Sequence, residues 1–293
     1  MAKKIIITGA NGQLGKAFQQ ILPDVIFVDQ PEIDLLSAPT NITKEFLKLA
    51  PDIVINCAAY TAVDKAETEI DTALHINALA TAAIATACKQ LDTQLIQIST
   101  DYVLADGRSK QLKPKAETAE VDPMSIYGYS KYLGETAAAI VPRHCIIRTS
   151  WIFGDGNNFV KTMLKLGQKN EFVSVVDDQV GRPTYALDLA TAITRLINIK
   201  KLPQLIHIQN SGTPVSWAGF AKKIFKTAGL NTKVKSITTE EFAQLRGKDN
   251  PTAIRPYGSV FDMKYLNSLK INMRSWPEAL NDYIKSLNLN ELV

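Results

Sequence analysis

The sequence of 293 residues predicts an α/β fold, a doubly wound parallel sheet followed by a smaller, mixed C-terminal lobe. Three observations predict it: apolar runs of strand length recur along the first half, helical patterns separate them, and a glycine-rich turn follows the first run. Buried parallel strands are continuous apolar runs because helices cover both faces of their sheet. We expect ligands at the carboxyl ends of these strands.

The first expected strand, residues 5–8, leads into GANGQLGKA, a glycine turn that opens a helical pattern. A triphosphate-binding loop has four residues between two glycines, followed by Lys and then Ser or Thr. Here five residues separate Gly9 from Gly15, and Ala17 follows Lys16, which excludes that loop. Gly9, Gly12 and Gly15 instead form a G-x-x-G-x-x-G pattern, which predicts that a dinucleotide pyrophosphate binds at the helix N-terminus.

Asp29 ends the second expected strand, which begins at residue 25, and lies twenty positions after Gly9. Dinucleotide-binding domains place an acid there against the adenosine ribose. Its carboxylate would accept hydrogen bonds from the 2′- and 3′-hydroxyls and repel a 2′-phosphate, which favours NADH over NADPH. Nearby Lys or Arg residues could still accommodate the phosphate, and a strand-end Asp also caps turns. NADPH and NADH therefore both remain candidate cofactors.

Two further motifs predict the chemistry. The strand expected at 95–99 leads into Thr100 and Asp101, where a hydroxyl can hydrogen-bond a substrate carbonyl oxygen or simply complete the strand end. In IYGYSKYLGE, Tyr127 and Lys131 are four residues apart and share one helix face. Because an ammonium lowers the pKa of a neighbouring phenol, Tyr127 could protonate a carbonyl oxygen as hydride reaches the carbon.

The remaining strands are expected at 53–56 and 145–149, with helices such as the Ala-rich stretch 72–89 between strands. The polar stretch 106–123 has no periodicity, and its position before the Tyr-Lys motif predicts an active-site loop.

Beyond Gly154 the pattern loosens. A short helix is expected at 159–167, a strand at 205–212, and an amphipathic helix that Ser216 caps and Gly229 ends. The chain is therefore expected to divide into a Rossmann dinucleotide-binding domain, residues 1–151, and a substrate-binding lobe, residues 152–293, with a segment near 185–210 returning to the sheet.

The composition narrows the partners and the compartment. The formal net charge is +4 and no basic cluster interleaves with aromatic residues, so we expect no nucleic acid partner. We also expect a cytoplasmic protein without a membrane partner, because no apolar run approaches the roughly 18 residues of a membrane span. Disulfide, redox-pair and metal-ligand spacings are lacking, so we expect buried thiols and no metal site among Cys57, Cys88, Cys145, His75, His144 and His207.

These motifs together resemble the extended short-chain dehydrogenase/reductase superfamily and, within it, the dTDP-4-dehydrorhamnose reductase family. The resemblance runs over nearly the whole chain. It is carried by the ordered blocks GANGQLG, INCAAYTAVDKAE, ISTDYV, YGYSK, RTSWIFG, DDQVGRPT, RPYGSVFD and SWPEAL.

The resemblance implies reduction of the C4 ketone of a nucleotide-sugar substrate, dTDP-4-dehydro-L-rhamnose, by NADPH or NADH, with Thr100, Tyr127 and Lys131 as the catalytic set. It places Gly12, Gln13 and Leu14 at the pyrophosphate, Asp29 at the ribose, Asp34 and Leu35 at the adenine side, Ala58, Ala59 and Tyr60 at the middle of the cofactor, and Lys131 at the nicotinamide ribose. Thr100, Asp101 and Trp151 would contact the sugar nucleotide. Arg182 and Arg255 are candidates for its diphosphate, because a guanidinium holds phosphate oxygens with two bonds.

Alternatives stay open at this point. Tyr102 stands where the related sugar-nucleotide dehydratases commonly carry the Glu of their acid/base pair, which argues against elimination. An epimerase or another sugar-nucleotide reductase is compatible with the same motifs. From a different class, the β subunit of methionine adenosyltransferase resembles this family and regulates a partner without catalysis. The intact catalytic set favours the enzyme, while a homodimer and a magnesium requirement are left undecided.

Overall fold

The computed structural model describes residues 3–104, 112–247 and 252–288. Its strands are, in chain order, β1 (Ile5–Thr8), β2 (Ile26–Val28), β3 (Ile53–Asn56), β4 (Gln94–Thr100), β5 (His144–Thr149), β6 (Ile152–Phe153), β7 (Phe172–Val176), β8 (Val180–Gly181), β9 (Thr184–Tyr185), β10 (Leu205–His207), β11 (Val215–Ser216), β12 (Lys233–Ile237) and β13 (Gly258–Ser259). Its helices are α1 (Gln13–Ile21), α2 (Pro39–Leu49), α3 (Val63–Ala66), α4 (Ile70–Leu74), α5 (Ala80–Gln90), α6 (Ile126–Ala138), α7 (Phe159–Lys169), α8 (Ala186–Leu196), α9 (Trp217–Ala228), α10 (Thr239–Arg246), α11 (Lys264–Ser268) and α12 (Trp276–Ser286).

The central sheet has six parallel strands in the order β10-β5-β4-β3-β1-β2. Because β2 and β3 pair with opposite edges of β1, the direction in which strands are added reverses between β1 and β3. Open α/β sheets bind ligands beyond the carboxyl ends of their strands at such a point. The predicted α/β fold with a doubly wound parallel sheet is confirmed.

Helices cover both faces of the sheet because successive strand residues point to opposite faces. On one face Ile7 packs with Phe18 of α1 and Ile193 of α8. On the other face Ile6 packs with Phe46 of α2, together with residues of α5. The strands are therefore shielded from water on both sides, which explains their apolar runs. None of the helices in the described ranges is long and apolar enough to cross a membrane.

The boundaries of several expected elements differ in the structure. The Ala-rich stretch expected as one helix contains a π turn, His75–Leu79, between α4 and α5. The strand expected at 205–212 ends at His207. Beyond it Gln209 accepts a hydrogen bond from the Phe261 amide at 3.0 Å, and Asn210 donates to Asp188 at 2.7 Å. These buried polar side chains satisfy partners in other segments, and the ladder with β5 stops there.

The C-terminal part of the chain adds small sheets and helices around a third core. β12 pairs with β7, β8 lies between β11 and β13, and β6 pairs with β9. Helices α7, α9 and α12 pack together through residues such as Leu164, Phe220 and Leu280. The expected caps of α9 are confirmed, since the Ser216 hydroxyl accepts from the Gly219 amide and Gly229 has a φ of 70°.

The polar stretch expected to be an active-site loop is described in part. Residues 105–111 lie outside the described residues. Beyond them, Val121 bridges Leu104 and Lys115 bridges Phe261, so the described part of the stretch runs between the end of β4 and the segment after β13.

Candidate active site

A cavity of about 830 Å³ opens at the carboxyl ends of the central strands, where the order of the sheet reverses. Most of the predicted site residues line it: Gly9, Gly12, Gln13, Leu14, Gly15, Asp29, Leu35, Ala58, Ala59, Thr100, Asp101, Tyr127, Lys131 and Trp151. The lining described for this cavity does not include Asp34, Tyr60, Arg182 and Arg255. The predicted residues that line the cavity all lie within 1–151, and Trp217 adds a residue of the later part of the chain to the same cavity.

The glycine turn between β1 and α1 forms one wall of the cavity. Gly9 has a φ of 68°, and a Cβ on it would lie 2.7 Å from the Ala58 nitrogen in the turn after β3. A Cβ on Gly15 would lie 2.2 Å from the Gly9 carbonyl oxygen. The turn thus packs backbone against backbone, which only glycine permits at these positions.

The N-terminus of α1 faces this cavity through Gly12 and Gln13. Gly12 is the N-cap residue and provides no side chain to cap the helix. The first amide groups of a helix have no partner within it and carry partial positive charge, so they attract an anion. The Gln13 Oε1 atom is buried without a hydrogen-bond partner in the structure.

The acidic residues beside the turn are held by backbone amides. Asp29 accepts hydrogen bonds from the amides of Asn11 at 2.9 Å and Gln30 at 3.0 Å, and it lines the cavity. Asp34 accepts from the Leu36 amide at 2.9 Å and from the Gln30 side chain at 2.8 Å. The Leu36 bond, followed by the Gln30 bond, lowers the pKa of Asp34. Asp29 is therefore presented to the cavity by the turn itself.

Helix α6 forms the opposite wall. The Ser125 hydroxyl caps it by accepting a bond from the Gly128 amide at 3.1 Å. Tyr127, Lys131 and Glu135 follow at intervals of four residues, so they share one helix face. The Lys131 ammonium donates to the Ile98 carbonyl oxygen at 2.6 Å. All three side chains are at least nine-tenths buried, so water screens their interactions little.

The pKa of Tyr127 does not follow the prediction that Lys131 lowers it. Burial raises the pKa of Tyr127 to about 12, although a hydrogen bond with Thr100 opposes that rise. Burial also lowers the pKa of Lys131 to about 8, while the Glu135 carboxylate opposes that change. The prediction of a lowered phenol pKa is therefore wrong for this arrangement, because desolvation is the largest effect on Tyr127, and Lys131 is not among the groups that oppose it.

A buried ion pair supports α6 from the sheet. Glu135 accepts hydrogen bonds from the Arg148 guanidinium at 2.8 and 2.7 Å and from the Ser99 hydroxyl at 2.6 Å. Both charged side chains are about 4–5% exposed. Neither Glu135 nor Arg148 is among the residues predicted for the site. The spacing of Glu135 four residues after Lys131 was a signal for the acid, whereas nothing local indicated Arg148.

Asp101 is buried at the carboxyl end of β4. The Thr100 hydroxyl donates to its Oδ1 atom at 3.0 Å, and the Ser259 hydroxyl donates to its Oδ2 atom. Burial raises the pKa of Asp101 to about 6, against the opposing effects of the bonds with Ser259 and Thr100 and of the Lys115 charge. Ser259 lies in β13, so the distant block RPYGSVFD contributes a partner to the end of β4.

Two tryptophans line the cavity beside this carboxyl end. The rings of Trp151 and Trp217 stack with centroids 3.5 Å apart. Trp151 has a φ of 49°, and a Cβ on Gly181 would lie 2.8 Å from its ring. Trp217 is the first residue of α9, the helix that the sequence predicts to be amphipathic. Helical periodicity identified the apolar face correctly but could not indicate that its first residue also borders the cavity.

The two arginines proposed for a diphosphate have protein partners. Arg182 donates to the carbonyl oxygens of Gly212 at 2.9 Å and Phe261 at 3.1 Å. Arg255 forms an ion pair with Asp64 at 2.9 Å. The hydroxyl of Tyr60 donates to Glu69 at 2.7 Å. These side chains lie around the cavity rather than among its lining residues.

The remaining cysteines and histidines are placed as follows. Cys57, Cys88 and Cys145 are free thiols, and Cys57 lines the cavity. Burial lowers the pKa of His207 to about 3, so it is neutral, and its Nδ1 contacts the Lys115 carbonyl oxygen at 3.1 Å. Within the described part of the chain, no group of three or more His, Cys, Asp or Glu residues is arranged to hold a metal ion.

Comparison with known proteins identifies relatives over the full length. A model of the RmlD substrate binding domain matches residues 3–289. The chain is similar to the spore coat polysaccharide biosynthesis protein SpsK of Bacillus subtilis, with 38% identity covering 96% of this chain and 97% of the relative. It is also similar to dTDP-4-dehydrorhamnose reductase of Sinorhizobium fredii, with 36% identity covering 98% of each chain.

The solved structures give the same result. The crystal structure of dTDP-4-dehydrorhamnose reductase from Bacillus anthracis in complex with NADP has a TM-score of 0.89 and 39% identity, and the match covers 98% of this chain and 100% of that chain. The chain therefore belongs to the RmlD substrate binding domain family and, within the extended short-chain dehydrogenase/reductase superfamily, to the dTDP-4-dehydrorhamnose reductases.

Proposed function

We propose that this protein reduces the C4 ketone of dTDP-4-dehydro-L-rhamnose to dTDP-L-rhamnose with NADPH or NADH. The observation that carries the proposal is that Thr100, Tyr127 and Lys131 line the same cavity as the glycine turn. A proton donor and a dinucleotide turn facing one cavity suit carbonyl reduction.

The residues of the glycine turn fit a dinucleotide. The close backbone packing of Gly9 and Gly15 leaves the uncapped N-terminus of α1 open to an anion, and the Gln13 Oε1 atom is buried without a partner. Gly12, Gln13 and Leu14 would hold the pyrophosphate, and Asp29 the adenosine ribose. Asp34, Leu35, Ala58, Ala59 and Tyr60 would complete the adenine side and the middle. When bound, the reduced nicotinamide supplies the hydride.

The nicotinamide preference is open to measurement. The carboxylate of Asp29 supports NADH, because it would repel a 2′-phosphate. The relative from Bacillus anthracis was solved with NADP, which supports NADPH. The ratio of kcat/KM for the two cofactors, in wild type and in Asp29→Ala, separates these expectations. A rise in the NADPH to NADH ratio in the variant would identify Asp29 as the discriminating residue.

The chain's own residues would manage the carbonyl oxygen. Tyr127 would donate a proton to the C4 oxygen, and Thr100 would give that oxygen a second hydrogen bond. Lys131 would bind the nicotinamide ribose from its position at the Ile98 carbonyl. Asp101 and Trp151 would contact the sugar. All of these groups line the cavity.

We also propose which residues bind the diphosphate and which part of the chain binds each ligand. Arg182 and Arg255 would have to exchange bonds to protein oxygens for bonds to phosphate oxygens. We assign cofactor binding to residues 1–151 and substrate binding to residues 152–293, which contribute Trp217 to the cavity. Thr100, Asp101 and Trp151 would be the contacts of the first part with the sugar. A cytoplasmic location and a homodimer remain predictions.

The test uses purified full-length protein with dTDP-4-dehydro-L-rhamnose and each reduced nicotinamide. The expected result is loss of reduced-nicotinamide absorbance that matches the dTDP-L-rhamnose formed. An epimerase would redistribute sugar isomers without net cofactor oxidation. A regulatory subunit would show no turnover with either cofactor and would bind a methionine adenosyltransferase. Either of these outcomes would overturn the proposal.

A further inference from the structure

The Thr100 hydroxyl lies at the centre of a buried hydrogen-bond chain. Its Oγ1 atom donates to Asp101 Oδ1 at 3.0 Å and accepts a bond from the Tyr102 amide at 3.3 Å, and its interaction with the Tyr127 phenol opposes the rise in the pKa of that phenol. On its far side Asp101 accepts a bond from the Ser259 hydroxyl. Asp101 is 4% exposed, so its ionised form has few water molecules to stabilise it.

The hydrogen bonds among Asp101, Thr100 and Tyr127 can run in two alternative directions, depending on which groups carry a hydrogen to donate. A hydroxyl has one hydrogen to donate and two lone pairs to accept with. When Asp101 is ionised it only accepts, so the Thr100 hydrogen points to it and the Tyr127 hydrogen points to Thr100. When Asp101 is protonated on Oδ1 it donates to Thr100. The Thr100 hydrogen is then free to face the cavity, and Tyr127 no longer has to donate to Thr100.

We propose that the protonated form of Asp101 is a positioning device that directs the hydroxyl hydrogens of Thr100 and Tyr127 toward the carbonyl oxygen of the substrate. This inference rests on the proposed reduction, in which that oxygen accepts both hydrogens in the transition state. The proton that moves to the substrate is the phenolic proton of Tyr127. Asp101 keeps its own proton and acts on the carbonyl oxygen through Thr100.

The surroundings of Asp101 decide how easily it takes up this proton. The charge of Lys115 and the hydroxyls of Ser259 and Thr100 favour the carboxylate, whereas burial favours the acid and prevails. The other titratable groups that interact with Asp101 are the phenols of Tyr102 and Tyr127, whose burial raises their pKa values and keeps them neutral. Ser259 can donate to Oδ2 of both the ionised and the protonated form of Asp101, so this hydrogen bond is kept in either form.

The kinetic test compares kcat/KM as a function of pH in wild type, Asp101→Asn and Ser259→Ala. In wild type it should fall about tenfold, the effect of one hydrogen bond, as the pH rises through about 6. Asn donates to Thr100 as the protonated acid does and does not ionise, so kcat/KM of Asp101→Asn should lack this step and have about the same value at pH 5 and at pH 8. Ser259→Ala removes a bond that favours the carboxylate, so it should move the step to higher pH.

A matched control is Asp178→Asn, because the Asp178 carboxylate accepts bonds from Thr239 away from the cavity. This variant should keep the wild-type step. The inference is overturned if Asp101→Asn keeps the step. It is also overturned if Ser259→Ala leaves the step in place or moves it to lower pH.

A second measurement needs no substrate. The infrared carbonyl band of a protonated carboxyl group, taken as the difference between wild type and Asp101→Asn, should be present at about pH 5 and absent at about pH 8. Turnover without this band at low pH would overturn the role of Asp101 and leave the proposed function standing. The band without turnover of dTDP-4-dehydro-L-rhamnose would overturn the proposed function instead.

Discussion

The two walls of the cavity are built on opposite principles. The glycine wall, the turn from Gly9 to Gly15 with Asp29, presents backbone amides and leaves no room for a further carbon atom. The α6 wall, with the end of β4 beside it, presents side chains that are nearly all buried and depend on one another. We learn from this difference that cofactor binding here depends on main-chain geometry, whereas the chemistry depends on desolvated side-chain pairs.

Burial shifts the pKa values of the acid-base groups of the α6 wall so that each group favours its uncharged form. The pKa of Lys131 falls to about 8, that of Asp101 rises to about 6, and that of Tyr127 rises to about 12. In each case desolvation favours the uncharged form. A wall of this kind keeps the phenol protonated at neutral pH, which a proton donor requires.

The largest effect is expected for Tyr127→Phe, which removes one oxygen from the α6 wall. Loss of the proton donor should lower kcat about 10³-fold, or about 4 kcal/mol, because general acid catalysis contributes that much. The cofactor dissociation constant, measured by fluorescence titration, should change less than about twofold. Tyr129→Phe is the matched control, since Tyr129 is on the same helix and 47% exposed. Equal rates in the two variants would place the proton donor elsewhere.

The next effect concerns stability. Glu135→Gln leaves the buried Arg148 guanidinium without a charged partner and should lower the free energy of unfolding by about 3 kcal/mol in urea titration. Glu45→Gln removes the carboxylate of an exposed pair, 2.7 Å from Lys48, and should change it by less than about 1 kcal/mol. A similar small change in both would mean that the α6 wall does not depend on its buried charges.

The sequence predicted the glycine wall more completely than the α6 wall. Gly9, Gly12 and Gly15 act through local backbone geometry, so their spacing after a buried strand carries the information. Strands β1 to β5 of the central sheet were likewise expected within a residue or so of their bounds, because burial on both faces makes them continuous apolar runs. The sixth, β10, was expected at 205–212 and ends at His207.

The partners of the α6 wall come from distant segments. Ser259 is 158 residues from Asp101, and Arg148 reaches Glu135 from the neighbouring strand β5. No local period places such pairs, since they form only when the sheet and the C-terminal segment pack together. The shifted pKa of Tyr127 escaped prediction for the same reason, because the sequence indicates the four-residue spacing from Lys131 but not the depth of burial.

A methyl group added to the glycine wall should have an intermediate effect. In Gly15→Ala the new Cβ would meet the Gly9 carbonyl oxygen at 2.2 Å, so the turn must move. We expect a cofactor dissociation constant raised at least about tenfold and a stability loss of about 1–3 kcal/mol. Gly229→Ala is the control, because Gly229 also has a positive φ, 70°, and is not among the residues that line the cavity. It should cost about 1 kcal/mol of stability and leave cofactor binding unchanged.

The smallest effect is expected for Lys16→Ala, in the first turn of α1 and next to Gly15. Lys16 is 35% exposed and lies 3.8 Å from Asp155, which keeps a second partner in Lys161 at 3.2 Å. Removal of the lysine should change stability by less than about 0.5 kcal/mol and the cofactor dissociation constant by less than about twofold, as for an exposed ion pair. Lys48→Ala gives the baseline for an exposed lysine far from the cavity. If Lys16→Ala weakened cofactor binding tenfold beyond that baseline, a side-chain charge would hold the phosphates. The glycine wall would then be built, like the α6 wall, from side chains.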